Sequence, residues 1–331
     1  MTAKVLIFLY LRIIILLNKR KRVVRRSHRR HFKKKPQEAF QEEAIRHFKK
    51  QQKKTKKNKK KMITLKNLVV GYPDGRHTRQ LNHAANEEAH DGMLTCLIGA
   101  NGAGKSTLLR TIAGFQLPLE GTVLLGGDDV RALSPRQRAE RMAVVLTDRP
   151  DVMCTTVWEM VATGRAPFTG FWGRLSSKDR NIVTRSLRLV GIEWMADRTV
   201  ASLSDGERQK VMIAKALAQQ TPVILLDEPT AFLDYPSRVE VMQLLLNIAH
   251  EEHKTVLLST HDLDLALQTA DRIWLFERER GEKKEEEEGK EEEEEEEKEK
   301  KTNGDEMSKI ISGTQQELVS NGSISRFAKG A

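Results

Sequence analysis

The stretch Gly99–Thr107, with the sequence GANGAGKST, decides the fold of this 331-residue chain. It satisfies the pattern G-x(4)-G-K-[ST], follows the apolar run TCLI and opens the helical pattern STLLRTIAG. In such a strand, loop and helix setting, backbone N–H groups of the glycine-rich loop converge on phosphate oxygens, and the helix amino end adds partial positive charge. The alternative is a glycine turn with a chance lysine and serine, which the flanking patterns disfavour.

The phosphate loop predicts a nucleoside triphosphate and Mg²⁺ as ligands. Lys105 is expected to reach the β and γ phosphates, and the Ser106 hydroxyl is expected to bind Mg²⁺. We expect the whole loop to contact the nucleotide: Gly99, Ala100, Asn101, Gly102, Ala103, Gly104, Lys105, Ser106 and Thr107.

A second motif, VILLDEPT at 223–230, is a buried-strand pattern that ends in two carboxylates. Asp227 at the strand tip can hold Mg²⁺ directly or through water. Glu228 is suited to orient and deprotonate the attacking water. An acidic strand end alone could be a cap, but together with the phosphate loop it predicts a nucleotide hydrolase.

His261 follows the next apolar run, in LLSTHDL. The carboxyl ends of parallel strands meet at the ligand crevice of an open α/β sheet. His261 therefore either hydrogen-bonds to the γ phosphate and water, as a catalytic residue beside Glu228, or caps the helix DLDLALQTA.

Short apolar runs alternate with helical patterns from Met62 onward. This alternation predicts an α/β fold with a mainly parallel sheet covered by helices on both faces. Strands are predicted at ITLKNLVV, MLTCLIG, TVLLGG, MAVVL, PVILLDE, TVLLST and RIWLFE, and helices at about 105–113, 155–163, 177–190, 205–219, 236–250 and 263–270.

Two low-complexity segments carry most of the charge imbalance. Residues 1–61 hold 23 Lys/Arg and 3 Glu, and residues 279–307 hold 16 Asp/Glu and 7 Lys/Arg, so the rest of the chain is neutral within a total of +11. The basic character belongs to a tail, and no nucleic-acid footprint is expected on the folded part. Both segments are expected to be solvated and disordered.

We interpret 279–307 as an acidic insertion in a surface hairpin, followed at 308–331 by a strand and helix that complete the domain. A specific acidic ligand for a partner or metal is the alternative. At the amino end, the apolar run Val5–Leu17 contains Arg12 and is shorter than the roughly 20 residues that span a membrane. We expect translation to begin at Met62, with a signal-anchor as the alternative. Cys96 and Cys154 suggest neither a disulfide framework nor metal-ligand spacing.

Taken together, the motifs resemble those of the nucleotide-binding subunit of ATP-binding cassette (ABC) transporters. LSDGERQ at 203–209 is similar to the family signature LSGGERQ, AFLD (Ala231–Asp234) is similar to its D-loop, and Tyr72 matches the aromatic residue that stacks on adenine. The resemblance covers Met62 to about Phe276. It implies the P-loop NTPase core of the ABC ATPase type at 62–278, with an antiparallel β part and a helical subdomain at about 149–203.

In this family the signature loop closes over the ATP held by a second copy, so the resemblance implies two ATP molecules in a head-to-tail dimer. The close approach to that nucleotide would fall to Ser204 and Gly206. The nucleotide-contacting set then gains Tyr72, Ser204, Asp205, Gly206, Glu207 and Asp234.

Two positions depart from the family pattern. Asp205 replaces a glycine; the pattern S-x-x-E at 204–207 is a capping box, so Asp205 is expected to stabilise the helix, with repulsion of the γ phosphate as the alternative. Asp148 aligns with a glutamine that touches Mg²⁺, with Thr147 as the alternative alignment. The predicted metal ligands are therefore Ser106, Asp148 and Asp227.

The stretch TTVWEMVATGRAPFTGFWGRLSSKD is similar to the importers of iron siderophores, haem and cobalamin. The resemblance implies an ATPase that works with a separate membrane permease and, indirectly, a substrate-binding protein, located in the cytoplasm at the inner face of the membrane. The alternative is a soluble ABC ATPase that acts on nucleic acid or protein assembly. Such proteins usually carry a long coiled coil or two cassettes, which this chain lacks.

Overall fold

The computed structural model describes residues 60–74, 77–146, 154–170, 172–278 and 307–330. These residues belong to one compact unit. Expectations about the basic tail, the acidic insertion, Asp148 and Thr147 lie outside the described residues and stay predictions.

The strands are β1 (Lys61–Val69), β2 (Gly71–Asp74), β3 (His77–Gln80), β4 (Glu88–His90), β5 (Leu94–Ile98), β6 (Glu120–Leu125), β7 (Asp128–Asp129), β8 (Met142–Val145), β9 (Val223–Leu226), β10 (Thr255–Thr260), β11 (Arg272–Arg278) and β12 (Ser308–Gly313). The helices are α1 (Lys105–Ile112), α2 (Pro135–Arg141), α3 (Val157–Ala162), α4 (Ser177–Val190), α5 (Asp205–Ala218), α6 (Tyr235–Glu251), α7 (Leu263–Thr269), α8 (Gln315–Ser320) and α9 (Ser323–Gly330). Short 3-10 helices lie at Val130–Ala132, Thr163–Phe168, Glu193–Met195 and Val200–Ser202.

A six-stranded sheet organises the described part of the chain, in the order β12-β11-β5-β10-β9-β8. Neighbouring strands are parallel except β11 and β12, which are antiparallel. Because β5, β9 and β10 are parallel neighbours, their carboxyl ends meet at one edge of the sheet. The phosphate loop and the motifs that follow β9 and β10 are thereby brought together.

Side chains of the central strands alternate between two hydrophobic clusters. Trp274 and Phe276 of β11 pack in one cluster with α1 and the antiparallel sheet, while Ile273 and Leu275 pack in the other with α5 and α6. The predicted sheet with both faces covered is therefore confirmed. A second sheet, in the order β4-β1-β6-β7, is antiparallel, and β2 and β3 form a separate hairpin.

The carboxyl-terminal residues complete the central sheet. β12 pairs with β11 along its whole length, from Ile273 opposite Gly313 to Arg278 opposite Ser308. Two short helices, α8 and α9, follow instead of the single helix that the sequence predicted. Among the described residues, no helix is both long and apolar enough to cross a membrane.

Candidate nucleotide site

The phosphate loop joins β5 to α1 through glycines that the geometry requires. Gly102 and Gly104 have φ angles of 77° and 97°, in the left-handed region that L side chains rarely adopt. A Cβ at Gly99 would lie 2.8 Å from the Cβ of Phe276. The N-cap of α1 is Gly104, which has no side chain to bond to the first turn, and this leaves N–H groups there for a phosphate.

Lys105 is buried at the start of α1 and bonds to the loop itself. Its Nζ donates to the carbonyl oxygens of Gly99, at 2.8 Å, and Ala100, at 3.0 Å. Glu228 Oε1 lies 3.9 Å away. Burial lowers the pKa of the Lys105 ammonium, and the carboxylates of Glu228 and Asp227 act in the opposite direction. The ammonium thus lies where the phosphate loop and the acidic strand end meet.

Asp227 is held by two hydroxyl groups. Ser106 Oγ and Ser259 Oγ both donate to Asp227 Oδ1, at 3.0 and 2.7 Å. Ser106 and Asp227 are therefore adjacent, as the sequence predicted for two Mg²⁺ ligands. A hydroxyl and a carboxylate fit this ion, which prefers oxygen ligands and usually takes one or two carboxylates together with substrate phosphates.

Glu228 has an unusual backbone conformation at the end of β9. Its φ of 46° is uncommon for a residue other than glycine, and such conformations cluster at functional sites. Its N–H donates to Ser259 Oγ at 2.8 Å. The carboxylate lies between Lys105 and His261, whose Nδ1 is 3.6 Å from Glu228 Oε2.

His261 does not cap the helix that follows it. Asp262 is the N-cap of α7, and its Oδ1 accepts from the N–H of Leu265 at 3.0 Å. The alternative of a capping His261 is therefore wrong. Its side chain is half exposed beside Glu228, where it is able to reach a bound molecule.

The signature residues start helix α5. Ser204 is the N-cap and forms the predicted capping box with Glu207: Ser204 Oγ accepts from the Glu207 N–H at 3.3 Å, and a Glu207 oxygen accepts from the Ser204 N–H at 2.9 Å. These bonds, with Arg198 3.4 Å away, lower the pKa of Glu207. Asp205 is exposed in the first turn. Within the described residues, no hydrogen bond or ion pair joins Ser204 or Glu207 to the phosphate loop of the same chain.

The remaining predicted nucleotide contacts are Asp234, Gly206 and Tyr72. Asp234 caps α6, since its Oδ1 accepts from the Ser237 N–H at 3.3 Å. A Cβ at Gly206 would lie 3.3 Å from Ser237 Oγ, so the signature loop and the start of α6 are neighbours. Tyr72 is on β2, and its side chain is 39% exposed.

Ser259 is a residue of this site that the sequence analysis missed. It bonds to both Asp227 and Glu228, and it sits in β10, parallel to β9 with Leu258 opposite Leu226. The polar residue at the end of an otherwise apolar strand, in LLSTHD, was the available signal. The role of this serine could be recognised only from the register of β10 against β9, which the sequence does not give.

Fold and site define a P-loop ATPase of the ABC type. The family model described as "ABC transporter" matches residues 82–231, and a second model, "AAA domain, putative AbiEii toxin, Type IV TA system", matches 196–268. An ABC transporter ATP-binding protein of Methanocaldococcus jannaschii is 42% identical over 219 residues, 66% of this chain and 74% of that protein. The chain therefore belongs to the family of ABC transporter ATP-binding proteins, which are nucleotide-binding ATPases.

Other relatives are named for roles in transport. The achromobactin transport ATP-binding protein CbrD of Dickeya dadantii is 38% identical over 213 residues, 64% of this chain and 77% of that protein. The cobalamin import ATP-binding protein BtuD of Halobacterium salinarum is 44% identical over 183 residues, 55% of this chain, but the chain covers only 46% of that relative.

A similar cassette has been solved with ADP and Pi bound. A dimeric, post-hydrolysis ATP-binding cassette bound to ADP and Pi is 29% identical, with a TM-score of 0.57, over 65% of this chain and 94% of that chain. The predicted ABC ATPase fold is confirmed by this likeness.

Proposed function

We propose that this chain is the ATP-hydrolysing subunit of an ABC importer and that two copies enclose two ATP molecules head to tail. One observation carries the proposal. The side chains of Lys105, Ser106, Asp227, Glu228 and His261 converge at one sheet edge. Among the described residues, no hydrogen bond or ion pair joins them to Ser204 or Glu207 at the start of α5. A second copy supplies the signature, as the dimeric form of the related cassette supports.

Each residue of the converging set has a separate task. Lys105 neutralises the β and γ phosphates, for which its ammonium leaves the carbonyls of Gly99 and Ala100. Ser106 and Asp227 hold Mg²⁺, which would neutralise developing charge on the phosphate oxygens. Asp148 is the third proposed ligand.

Glu228 accepts the proton of the attacking water. His261, 3.6 Å from the Glu228 carboxylate, donates a hydrogen bond to the γ phosphate. Tyr72 stacks on the adenine, and Asp205 and Asp234 keep their helices in place next to the nucleotide of the second copy.

The proposed partner is an integral-membrane permease at the inner face of the cell membrane, with a substrate-binding protein acting indirectly. Relatives named for achromobactin and cobalamin support a metal-chelate cargo, of the iron-siderophore, haem or cobalamin type. The cargo rests on these relatives, because the stretch 155–179 that resembles such importers uses Thr156, Glu159 and Arg165 for contacts within this chain.

Substitution of Glu228 tests the ATP-bound dimer. The full-length Glu228→Gln variant should be a monomer by light scattering without nucleotide and a dimer with saturating ATP, because binding persists and hydrolysis stops. Glu251→Gln, an exposed substitution of the same kind on α6, should hydrolyse ATP as the wild type does. If Glu228→Gln stays a monomer at saturating ATP, the two-copy site is excluded. If Glu228→Gln hydrolyses ATP at the wild-type rate, Glu228 is excluded as the catalytic base.

A pull-down tests the transport assignment. Tagged protein would be isolated from detergent-solubilised membranes of the native host and its partners identified by mass spectrometry. A stoichiometric polytopic permease supports the importer. Recovery of ribosomes, DNA or only water-soluble partners would favour the soluble ABC ATPase instead.

A further inference from the structure

Arg165 is a buried arginine in the short 3-10 segment Thr163–Phe168, between α3 and α4. Its Nε donates to Asp179 Oδ1 at 2.9 Å, and its Nη1 donates to the carbonyl oxygen of Ala218 at 2.9 Å. The guanidinium also lies 4.2 Å from the ring centre of Phe168. Arg165 is 5% exposed and Asp179 is 8% exposed.

The Ala218 carbonyl belongs to the last turn of α5, the helix that the signature begins. The same helix end is also held by Gln219, whose Nε2 donates to the carbonyl oxygens of Ala139 and Met142. The end of α5 is therefore fixed between the core, through Gln219, and the helical subdomain, through Arg165.

Asp179 extends this connection to helix α4. Its second oxygen accepts from the Ser176 N–H at 3.0 Å and from the Ser176 hydroxyl, in a capping box at the start of α4. The Ser176 bonds and the Arg165 guanidinium hold the pKa of Asp179 below its ordinary value. One carboxylate thus caps α4 and orients the arginine that reaches α5.

Gly164 allows the segment that carries Arg165 to pack closely against the backbone of α5. A Cβ at Gly164 would lie 2.3 Å from the carbonyl oxygen of Lys215, one turn before the end of α5. The 3-10 segment therefore packs directly on the backbone of α5, and Arg165 is placed beside Ala218 without a flexible connection.

We propose that Arg165 is a positioning residue for the signature: it fixes the direction of α5 relative to α4 and so aims Ser204 at the nucleotide of the second copy. Helix α5 has 14 residues and is about 20 Å long, so a tilt of about 5° at Ala218 moves Ser204 by roughly 2 Å. Displacements of about 1 Å are enough to slow an enzyme on the order of a hundredfold. The inference rests on the proposed two-copy site.

The arrangement favours positioning over simple stabilisation. A buried ion pair is weak support for stability, since apolar residues of similar volume often do as well. An arginine presents a planar fork that bonds to two acceptors at fixed angles, and here the two acceptors belong to different helices. Lysine would keep the charge and lose this geometry.

Arg165→Lys in the full-length Glu228→Gln background tests the role. The measurements are binding of a fluorescent ATP analogue to the monomer, the ATP concentration for half dimerisation by light scattering, and the midpoint of thermal unfolding. The matched control is Arg188→Lys, which changes an exposed arginine in the same subdomain that bonds to both Glu193 oxygens. We expect Arg165→Lys to need at least tenfold more ATP to dimerise, with monomer affinity within twofold, and the control to be unchanged.

Several outcomes would overturn the proposal. If Arg165→Lys dimerises at the same ATP concentration as its Glu228→Gln parent, Arg165 does not position the signature. The same conclusion follows if the loss of dimer is no larger than the fraction of protein that is unfolded. If Arg165→Lys does not fold, Asp179→Asn goes through the same measurements with the same criteria, because one amide oxygen cannot replace the two carboxylate oxygens that accept separately from Arg165 and Ser176. Failure of Glu228→Gln itself to dimerise would instead refute the two-copy site.

Discussion

Ser259 donates a 2.7 Å hydrogen bond to Asp227 Oδ1, the same oxygen that accepts from Ser106. The Ser259 oxygen also accepts from the N–H of Glu228 at 2.8 Å. One hydroxyl on β10 therefore orients the proposed metal ligand and the proposed catalytic base on β9. The positions of Asp227 and Glu228 therefore depend on β10 as well as on their own strand β9.

Ser259→Ala should slow ATP hydrolysis about tenfold and raise the Mg²⁺ concentration for half activity several-fold, because Asp227 loses a hydrogen bond that orients it. Activity would be measured over a Mg²⁺ titration at saturating ATP. Thr255→Val on the same strand is the control, since its buried hydroxyl has no hydrogen-bond partner among the described residues. Equal Mg²⁺ dependence in Ser259→Ala and the wild type would contradict the role of Ser259.

His261→Ala should lower kcat by a factor of ten or more while stability is unchanged, because Asp262 and not His261 caps α7. The converse change, Asp262→Ala, should lower the free energy of unfolding by about 1 kcal/mol. Urea unfolding and steady-state ATPase assays on both variants separate the roles. A His261→Ala variant that loses stability but keeps kcat would show that His261 stabilises the fold and has no role in hydrolysis.

Asp205→Gly should change ATP affinity and kcat by less than tenfold. Asp205 is an exposed acid in the first turn of α5, where it favours the helix dipole by roughly 0.3–1 kcal/mol, and glycine costs a further 1 kcal/mol or so. The variant should therefore unfold at a lower temperature. A tenfold or greater rise in ATP affinity or turnover would instead support repulsion between Asp205 and the γ phosphate.

Gly164→Ala should lower the free energy of unfolding by about 1–3 kcal/mol, because the added Cβ would overlap the carbonyl oxygen of Lys215. Gly170 lies two residues after this 3-10 segment, and a Cβ there meets no heavy atom within 4 Å among the described residues. Gly170→Ala should therefore stay within about 0.5 kcal/mol of the wild type. Equal stability of the two variants in urea would contradict the close packing at Gly164.

Local patterns were enough to predict most of the site. Lys105, Ser106, Asp227 and Glu228 lie in short motifs. The strands that precede these motifs, β5 and β9, are short runs of mostly apolar residues, so both could be recognised from neighbouring residues. Helix α4 at Ser177–Val190 has the predicted bounds. The nucleotide contacts of Tyr72 and Gly206, like the metal role of Asp148, stay predictions.

Features that depend on distant residues were missed. Ser259 gains its role only through the register of β10 against β9, and Arg165 only through partners on two other helices. The strands β2, β3, β4 and β7 are two to four residues long, too short for an alternation to be recognised. Their pairing partners, rather than their own sequences, make them strands.

The pairing of β12 also bears on how the protein folds during synthesis. Ser308 donates its N–H to Leu81 at 3.0 Å and accepts from the N–H of His83 at 2.9 Å, and β12 covers the edge of β11. These two bonds cannot form until Ser308 has been synthesised. Ser308 follows His83 by about 225 residues, and their synthesis takes on the order of 10 to 45 s at ordinary ribosomal rates. Strand β11 itself is made only about 30 residues before Ser308, so its edge stays unpaired for roughly 1.5 to 6 s at the same rates. An unpaired strand edge is a known template for aggregation. The nascent chain should therefore depend on chaperones until Ser308 leaves the ribosome.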